Sequence, residues 1–177
     1  WQDQIASTFG GIIKVGINRK GVFKVQKINI KKKVIQKLNS HMILVFTNET
    51  RDSSKIIKSQ NKKINIDYYD KIKSFVPSMK AALTKGDYVK IGKIFHKHWN
   101  IKKKLSKNIT NSSIDKIYFN LLKDKNIIGG KIIGAGGGGF FLLVTKNLKK
   151  TILKFKRQKL NFSRLEIGKV GSQIIST

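Results

Sequence analysis

Gly129-Gly130-Lys131-Ile132-Ile133-Gly134-Ala135-Gly136-Gly137-Gly138-Gly139-Phe140-Phe141-Leu142-Leu143-Val144 is the stretch whose reading decides the fold. Residues 134–139 satisfy G-x-G-x-x-G literally. A dinucleotide-binding loop of that form must open a helix, with an acid about 20 residues further on. Here the apolar run Phe140 to Val144 follows, which reads as a strand, and the only acid after the glycines is Glu166. No Gly-Lys-Ser/Thr follows either, so the loop is not of the Walker A kind. Lys131-Ile132-Ile133 in front of it is strand-like as well. The unit is strand, glycine turn, strand. A plain hairpin turn needs two or three glycines, and each glycine costs backbone entropy. This many in a row implies that another backbone, or a phosphate, must approach closely.

Working outward, the segments on both sides favour a mixed fold. Trp1 to Phe9 reads as a short helix ended by Gly10-Gly11. Ile13, Val15 and Ile17 alternate with Lys14, Gly16 and Asn18. After the turn Asn18-Arg19-Lys20-Gly21, Phe23 and Val25 alternate again, which predicts a β-hairpin. Residues 30–39 read as a Lys/Asn-rich connection. Met42 to Phe46 is a continuous apolar run and predicts a buried strand. A polar helix is expected from Ser53 to about Gln60. Ile72, Phe75, Val76, Met79 and Leu83 recur at helical spacing, with Pro77 expected to kink or split the helix. Asp87 is placed to cap the next helix, which carries Tyr88, Ile91, Phe95 and Trp99 on one face. Asn111 or Ser112 caps a further one with Ile114, Ile117 and Leu121. A Lys-rich amphipathic helix near 147–159 and short strands near 163–167 and 170–175 close the chain. The expected class is α+β, helices packed on an antiparallel sheet.

Composition removes several classes of function. There is no Cys, so disulfide frameworks, Cys-based zinc sites and cysteine nucleophiles are excluded. Three His and nine acids do not furnish an all-protein metal cage, and no metal ligand is assigned. No apolar run approaches the ~20 residues of a membrane span, and no signal peptide opens the chain; a cytoplasmic location with no membrane partner is expected. Lys+Arg is 38 against nine acids, a net +29 that would ordinarily suggest a nucleic-acid surface. Yet only Arg19, Arg51, Arg157 and Arg164 are arginines, and arginine is the usual reader of base edges. The lysines are scattered over every segment. Ile and Asn, which share A/T-rich codons with Lys, are abundant too. Base bias on solvated faces accounts for the charge, a nucleic-acid surface is not expected, and an anionic small-molecule substrate stays open. Asp3 sits in or just before a first helical turn, where the amides of the helix end stabilise a carboxylate; a plain capping role is one reading of it. His96 and His98, two apart on a helix, diverge and read as surface and core histidines.

Trp1-Gln2-Asp3-Gln4-Ile5-Ala6-Ser7 with Phe9-Gly10-Gly11, followed far downstream by the 129–140 stretch, resembles the GHMP small-molecule kinases, the superfamily of galactokinase, homoserine kinase and mevalonate kinase. Phe46-Thr47 with Arg51-Asp52-Ser53-Ser54, the W-x-x-K-K-x-L-S stretch from Trp99 to Ser106, and Gly171-Ser172-Gln173-Ile174-Ile175 point to the heptose 7-phosphate kinase branch. That branch phosphorylates an anomeric hydroxyl. The alternative within the superfamily is a galactose- or fucose-type sugar 1-kinase, and the alternative of a different class is a small basic nucleic-acid-binding domain.

The resemblance implies a ferredoxin-like antiparallel sheet with helices over residues 38–177. Residues 1–37 would be the helix and hairpin that end a preceding domain. The superfamily's Gly-Leu-Gly-Ser-Ser phosphate loop has no match in the chain, which also opens on Trp1 instead of Met. These residues are therefore expected to be a C-terminal part of a longer product, inactive alone. ATP and Mg2+ are the implied cofactors, held mainly by the other half. The implied partners are a nucleotide and a small sugar phosphate. By the same resemblance Asp3 is the base or orienting carboxylate toward the acceptor hydroxyl. The turn formed by Gly134, Ala135, Gly136, Gly137, Gly138 and Gly139 supports the nucleotide phosphates. Arg51 is the candidate contact for the sugar's own phosphate, a role that suits a guanidinium fork.

Overall fold

A computed structural model describes residues 2–49, 66–168 and 170–173. The first helix, α1 (Gln2–Phe9), leads into a two-stranded antiparallel hairpin, β1 (Ile13–Ile17) and β2 (Phe23–Lys27), with Val15 opposite Val25. Its turn is held by the Asn18 side chain, whose Oδ1 accepts from the Lys20 and Val22 amides. Side-chain acceptance of this kind is why Asn favours turns.

Residues 30–39 are more than a connection: α2 spans Lys32–Asn39. The lysine content hid an apolar stripe in which Leu38 is fully buried and Val34 packs beside it. A site in helical register can turn lysines outward and still dock.

The main sheet has four antiparallel strands. In spatial order they are β4 (Ile127–Ile132), β5 (Phe140–Thr145), β3 (Met42–Phe46) and β6 (Phe162–Arg164). The strands β3 and β4 run parallel with β5 between them, and β5 and β6 run parallel with β3 between them. That is the interleaved split-βαβ arrangement of a ferredoxin-like sheet. The first crossover carries α3 (Ile66–Lys85), α4 (Tyr88–Lys102) and α5 (Ser112–Leu122); the second carries α6 (Leu148–Arg157). No described helix is long and apolar enough to cross a membrane.

The unbroken apolar runs of β3 and β5 follow from burial on both faces. Ile43, Val45, Phe141 and Leu143 pack with Trp99, Ile114 and Phe155. Their neighbours Met42 and Val144 pack with Leu38, Ala82 and Ile91. The expected caps are in place: Asp87 accepts from the Lys90 amide, and Asn111 from the Ile114 amide.

Three local expectations change. Pro77 does not split α3, which is one helix of 20 residues. Pro77 is exposed, so the backbone carbonyl it deprives of a partner lies on the solvent side, away from α4. The strand before the glycine turn begins at Ile127, four residues earlier than the apolar pattern suggested, because Gly129 and Gly130 carry no side chain to show it. Residues 170–173 form no strand and do something else, described below. The helix expected over 53–60, and Arg51, lie outside the described residues.

Candidate functional site

The glycine turn is held from two sides. Gly137 donates its amide to the Ile109 carbonyl (2.7 Å), and Gly139 donates to the Glu49 carbonyl (2.8 Å). The Gly139 carbonyl accepts from both the amide (2.8 Å) and the hydroxyl (2.9 Å) of Thr47. A Cβ on Gly136 would lie 2.9 Å from the Ile109 carbonyl oxygen, and one on Gly138 only 2.4 Å from that of Glu49. The close approach expected from the glycine count is thus, at these two positions, an approach of the protein's own backbone. Gly134 and Gly139 differ. Both have left-handed φ, +77° and +88°, yet a Cβ on either would meet nothing within 4 Å. They leave an open edge on the turn.

Lys102, at the end of α4, ties this turn to the rest of the site by donating its Nζ to the Gly134 carbonyl (2.5 Å). Asp3, in the first turn of α1, acts on the same ammonium through space and favours its charged form. Burial and the neighbouring Lys131 outweigh that attraction, and the Lys102 pKa falls to about 8. Lys131 is itself lowered by burial. His98, one turn before Lys102 on α4, is lowered to about 3 by burial and by both lysines. Its Nδ1 is buried and has no hydrogen-bond partner among the described residues.

Lys131 reaches this corner because of how α4 lies on β4. Gly92 and Gly129 face each other: a Cβ on Gly129 would be 2.4 Å from the Gly92 carbonyl oxygen and 2.9 Å from the His96 Cβ. Gly129 therefore faces α4, and by the two-residue strand period so does Lys131. Its Nζ lies 5.9 Å from the Phe95 ring centroid, a cation–π contact. Tyr118 fixes the intervening residue. Its hydroxyl accepts from the Gly130 amide (3.1 Å) and donates to the Gly130 carbonyl (3.0 Å). The one hydroxyl proton is then used, so His96 Nδ1 must donate to Tyr118 (2.9 Å), while its Nε2 accepts from Asn100 (3.0 Å). His96 is accordingly a neutral structural histidine, and burial followed by Lys103 lowers its pKa.

The N- and C-terminal motifs also meet. Gly10 ends α1 with φ +61°. Residues Val170 to Ser172 cross it so closely that a Cβ on Gly10 would be 2.3 Å from the Gly171 nitrogen. Ser172 then donates its amide to the Ser7 carbonyl (2.9 Å). The tail read as a strand is instead a strap over the helix that carries Asp3.

Lys102 thus touches the glycine turn, and Asp3 acts on it through space. Lys102 and Lys131 were not singled out from sequence, although they sit in the W-x-x-K-K and Gly-Gly-Lys stretches, and His98 was read only as a surface or core histidine. Lysine was too common in this chain to draw attention there. Among the described residues no group of three or more His, Asp or Glu could hold a metal ion.

A ferredoxin-like domain with a glycine turn clamped between β3 and the segment before α5 defines a class. Residues 79–155 match the family model described as GHMP kinases C terminal, and that stretch is a GHMP-kinase C-terminal domain. The chain is 32% identical over 167 residues to a D-glycero-alpha-D-manno-heptose 7-phosphate kinase of Campylobacter jejuni, covering 91% of this chain and 49% of that protein. It is 26% identical over 169 residues to the bifunctional fucokinase/GDP-fucose pyrophosphorylase of Arabidopsis thaliana, 90% of this chain and 16% of that one. The chain therefore spans about half the length of the heptose kinase it matches.

Among solved structures, the fold superposes on a D-glycero-D-manno-heptose 1-phosphate kinase from Bacteroides thetaiotaomicron with a TM-score of 0.68 at 22% identity, covering 99% of this chain and 49% of that one. It superposes on L. major mevalonate kinase with a TM-score of 0.72 at 18% identity, covering 92% and 50%.

Proposed function

We propose that this chain serves an ATP-dependent GHMP-type kinase that phosphorylates the anomeric hydroxyl of a sugar phosphate, with heptose 7-phosphate as the acceptor. The observation that supports the reading best is the glycine turn, seated against the protein's own backbone at Gly136 and Gly138 and open at Gly134 and Gly139, with Lys102 donating to its Gly134 carbonyl and Asp3 acting on that ammonium through space. The names of the relatives supply the acceptor class.

In this reading Asp3 accepts or orients the proton of the attacking hydroxyl. A sugar hydroxyl is a poor nucleophile, and a placed carboxylate removes its proton as the phosphoryl group moves in line. ATP supplies that phosphoryl group. The open edge of the turn at Gly134 and Gly139 fits a phosphate coming close to backbone, while Gly136 and Gly138 keep the turn seated. Ala135 and Gly137 complete it. Arg51 is assigned the acceptor's own phosphate on chemistry alone. Among the described residues no group of three or more His, Asp or Glu could hold Mg2+, and ATP and Mg2+ are assigned mainly to the other half of the kinase. We also assign α1 and the hairpin to a preceding domain. The packing of α2 on α3 and β3 supports placing the seam before Lys32 in preference to 37/38.

The test is Asp3→Asn in the full-length kinase. Asn keeps size and caps a helix nearly as well, but it cannot take a proton. The expected result is a fall in kcat of roughly 10²–10⁴-fold with the ATP dissociation constant unchanged. A kcat within a few-fold of the parent would remove Asp3 from the chemistry. The Arabidopsis relative makes fucose the comparison acceptor; preferred turnover of fucose over heptose 7-phosphate would move the reading to that branch.

A further inference from the structure

α4 places His98 and Lys102 one turn apart, on the same side of the helix. The glycine contact between Gly92 and Gly129 brings Lys131 against them. Three basic groups share one half-buried corner. Among the described residues Asp3 is the one carboxylate that acts on Lys102, and it does so through space. The two ion pairs among the described residues, Lys103–Asp115 and Lys154–Asp124, lie elsewhere. Lys102 spends one proton on the Gly134 carbonyl and Lys131 rests on Phe95, so among the described residues each ammonium keeps N–H donors with no acceptor. Two partly desolvated ammoniums beside one carboxylate leave an excess of positive charge. An excess of this kind is costly in a free protein and becomes favourable when an anion enters.

The corner also opens onto a cavity. A space of about 310 Å³ lies between the hairpin and helices α3 and α4; Lys131 and His98 line it together with Lys14 and Lys80, Ile12, Phe75 and Met79 are among its apolar sides, and Lys102 lies outside it. It is large enough for a small polar ligand.

We infer that Lys102 and Lys131, flanked by His98, form a binding site for a terminal phosphate group within the field of Asp3. This deepens the kinase reading and rests on it for the identity of the phosphate, which belongs either to the acceptor sugar or to the group being transferred. Lysine suits both, as a point charge with three rotatable donors.

The experiment has two arms on the full-length protein. In the first, inorganic phosphate is titrated by calorimetry or 31P NMR into the parent, Lys102→Met, Lys131→Met and Lys131→Arg. Each Met variant is expected to bind phosphate at least about tenfold more weakly, while Lys131→Arg, which keeps the charge, stays within about threefold. Arg rescue separates a charge effect from misfolding. Unchanged affinity in both Met variants, or equal loss in Lys131→Arg and Lys131→Met, overturns the site.

The second arm measures the KM values of Lys131→Met. A rise for heptose 7-phosphate that exceeds the rise for unphosphorylated heptose, with the ATP value unmoved, puts the acceptor's phosphate in the site. A rise for ATP that is equal with both acceptors puts the transferred group there. No movement in either overturns the inference for catalysis. Loss of phosphate binding in the lysine variants, together with undiminished kcat in Asp3→Asn, would leave the anion site standing and remove the role given to Asp3.

Discussion

Replacing Gly138 by Ala puts a methyl carbon 2.4 Å from the Glu49 carbonyl oxygen and 2.9 Å from the Glu49 carbonyl carbon. Both atoms are backbone, so no rotamer change relieves the overlap. Reaching ordinary contact near 3.4 Å requires the turn to move by about 1 Å. A shift of that size breaks the Gly139 to Glu49 hydrogen bond and loosens the two that Thr47 gives to Gly139. Gly138 also has φ +145°, a region that L residues rarely enter. Such backbone strain costs roughly 1–3 kcal/mol, and each lost hydrogen bond about 1 kcal/mol. The expected loss is about 3–5 kcal/mol, a large part of the roughly 5–15 kcal/mol of a typical domain. Gly134→Ala is the control. Its Cβ would meet nothing, so only the left-handed conformation is penalised, by about 1–2 kcal/mol. Urea denaturation of both variants, followed by circular dichroism, should place the Gly138→Ala midpoint about 1 M or more below that of Gly134→Ala, given slopes of about 1–3 kcal/mol/M. Equal midpoints would show that Glu49 does not require glycine at 138, and that the turn is glycine-rich for another reason.

Tyr118→Phe should cost about 1–3 kcal/mol in the same urea assay, because the buried Gly130 amide and carbonyl lose their shared partner; an unchanged midpoint would mean that neither depended on the hydroxyl. His98 gives a pH signature. Its folded pKa is held near 3 by burial, Lys131 and Lys102, so as pH falls from about 6.5 the unfolded chain takes up a proton that the folded chain refuses, and stability declines. His98→Gln should therefore flatten the fall in melting temperature between pH 6.5 and 4; parallel profiles for parent and variant would show that His98 does not contribute to it.

The order of elements was legible because the relevant signals are local. Alternation in the hairpin, helical spacing from Tyr88 to Trp99, and side-chain caps at Asp87 and Asn111 each involve residues within one or two turns of one another. The strand character of Phe140 to Val144 separated this glycine turn from a nucleotide loop of the Rossmann kind, and that comparison needs only the residues next to the turn. The family resemblance likewise rested on short motifs.

Pairings between distant segments were not legible. Nothing local indicates that Gly129 is small so that the α4 backbone at Gly92 can lie against it, or that Gly138 is small because of Glu49, 89 positions away. Lys131 becomes a site residue only because that helix–strand contact turns it toward His98 and Lys102. The strap of Val170 to Ser172 over Gly10 was read as a strand for the same reason: its hydrogen bonds go to Ser7, and no periodicity records a partner at the far end of the chain. Sequence determined most of the helices and strands, α2 and the 170–173 strap excepted, and pointed to Asp3 and the glycine turn as candidates, because backbone preference and burial periodicity act over a few residues. Tertiary structure decided which lysines, among many alike, share one desolvated corner, because charge repulsion and close packing depend on distance in space and not on spacing along the chain.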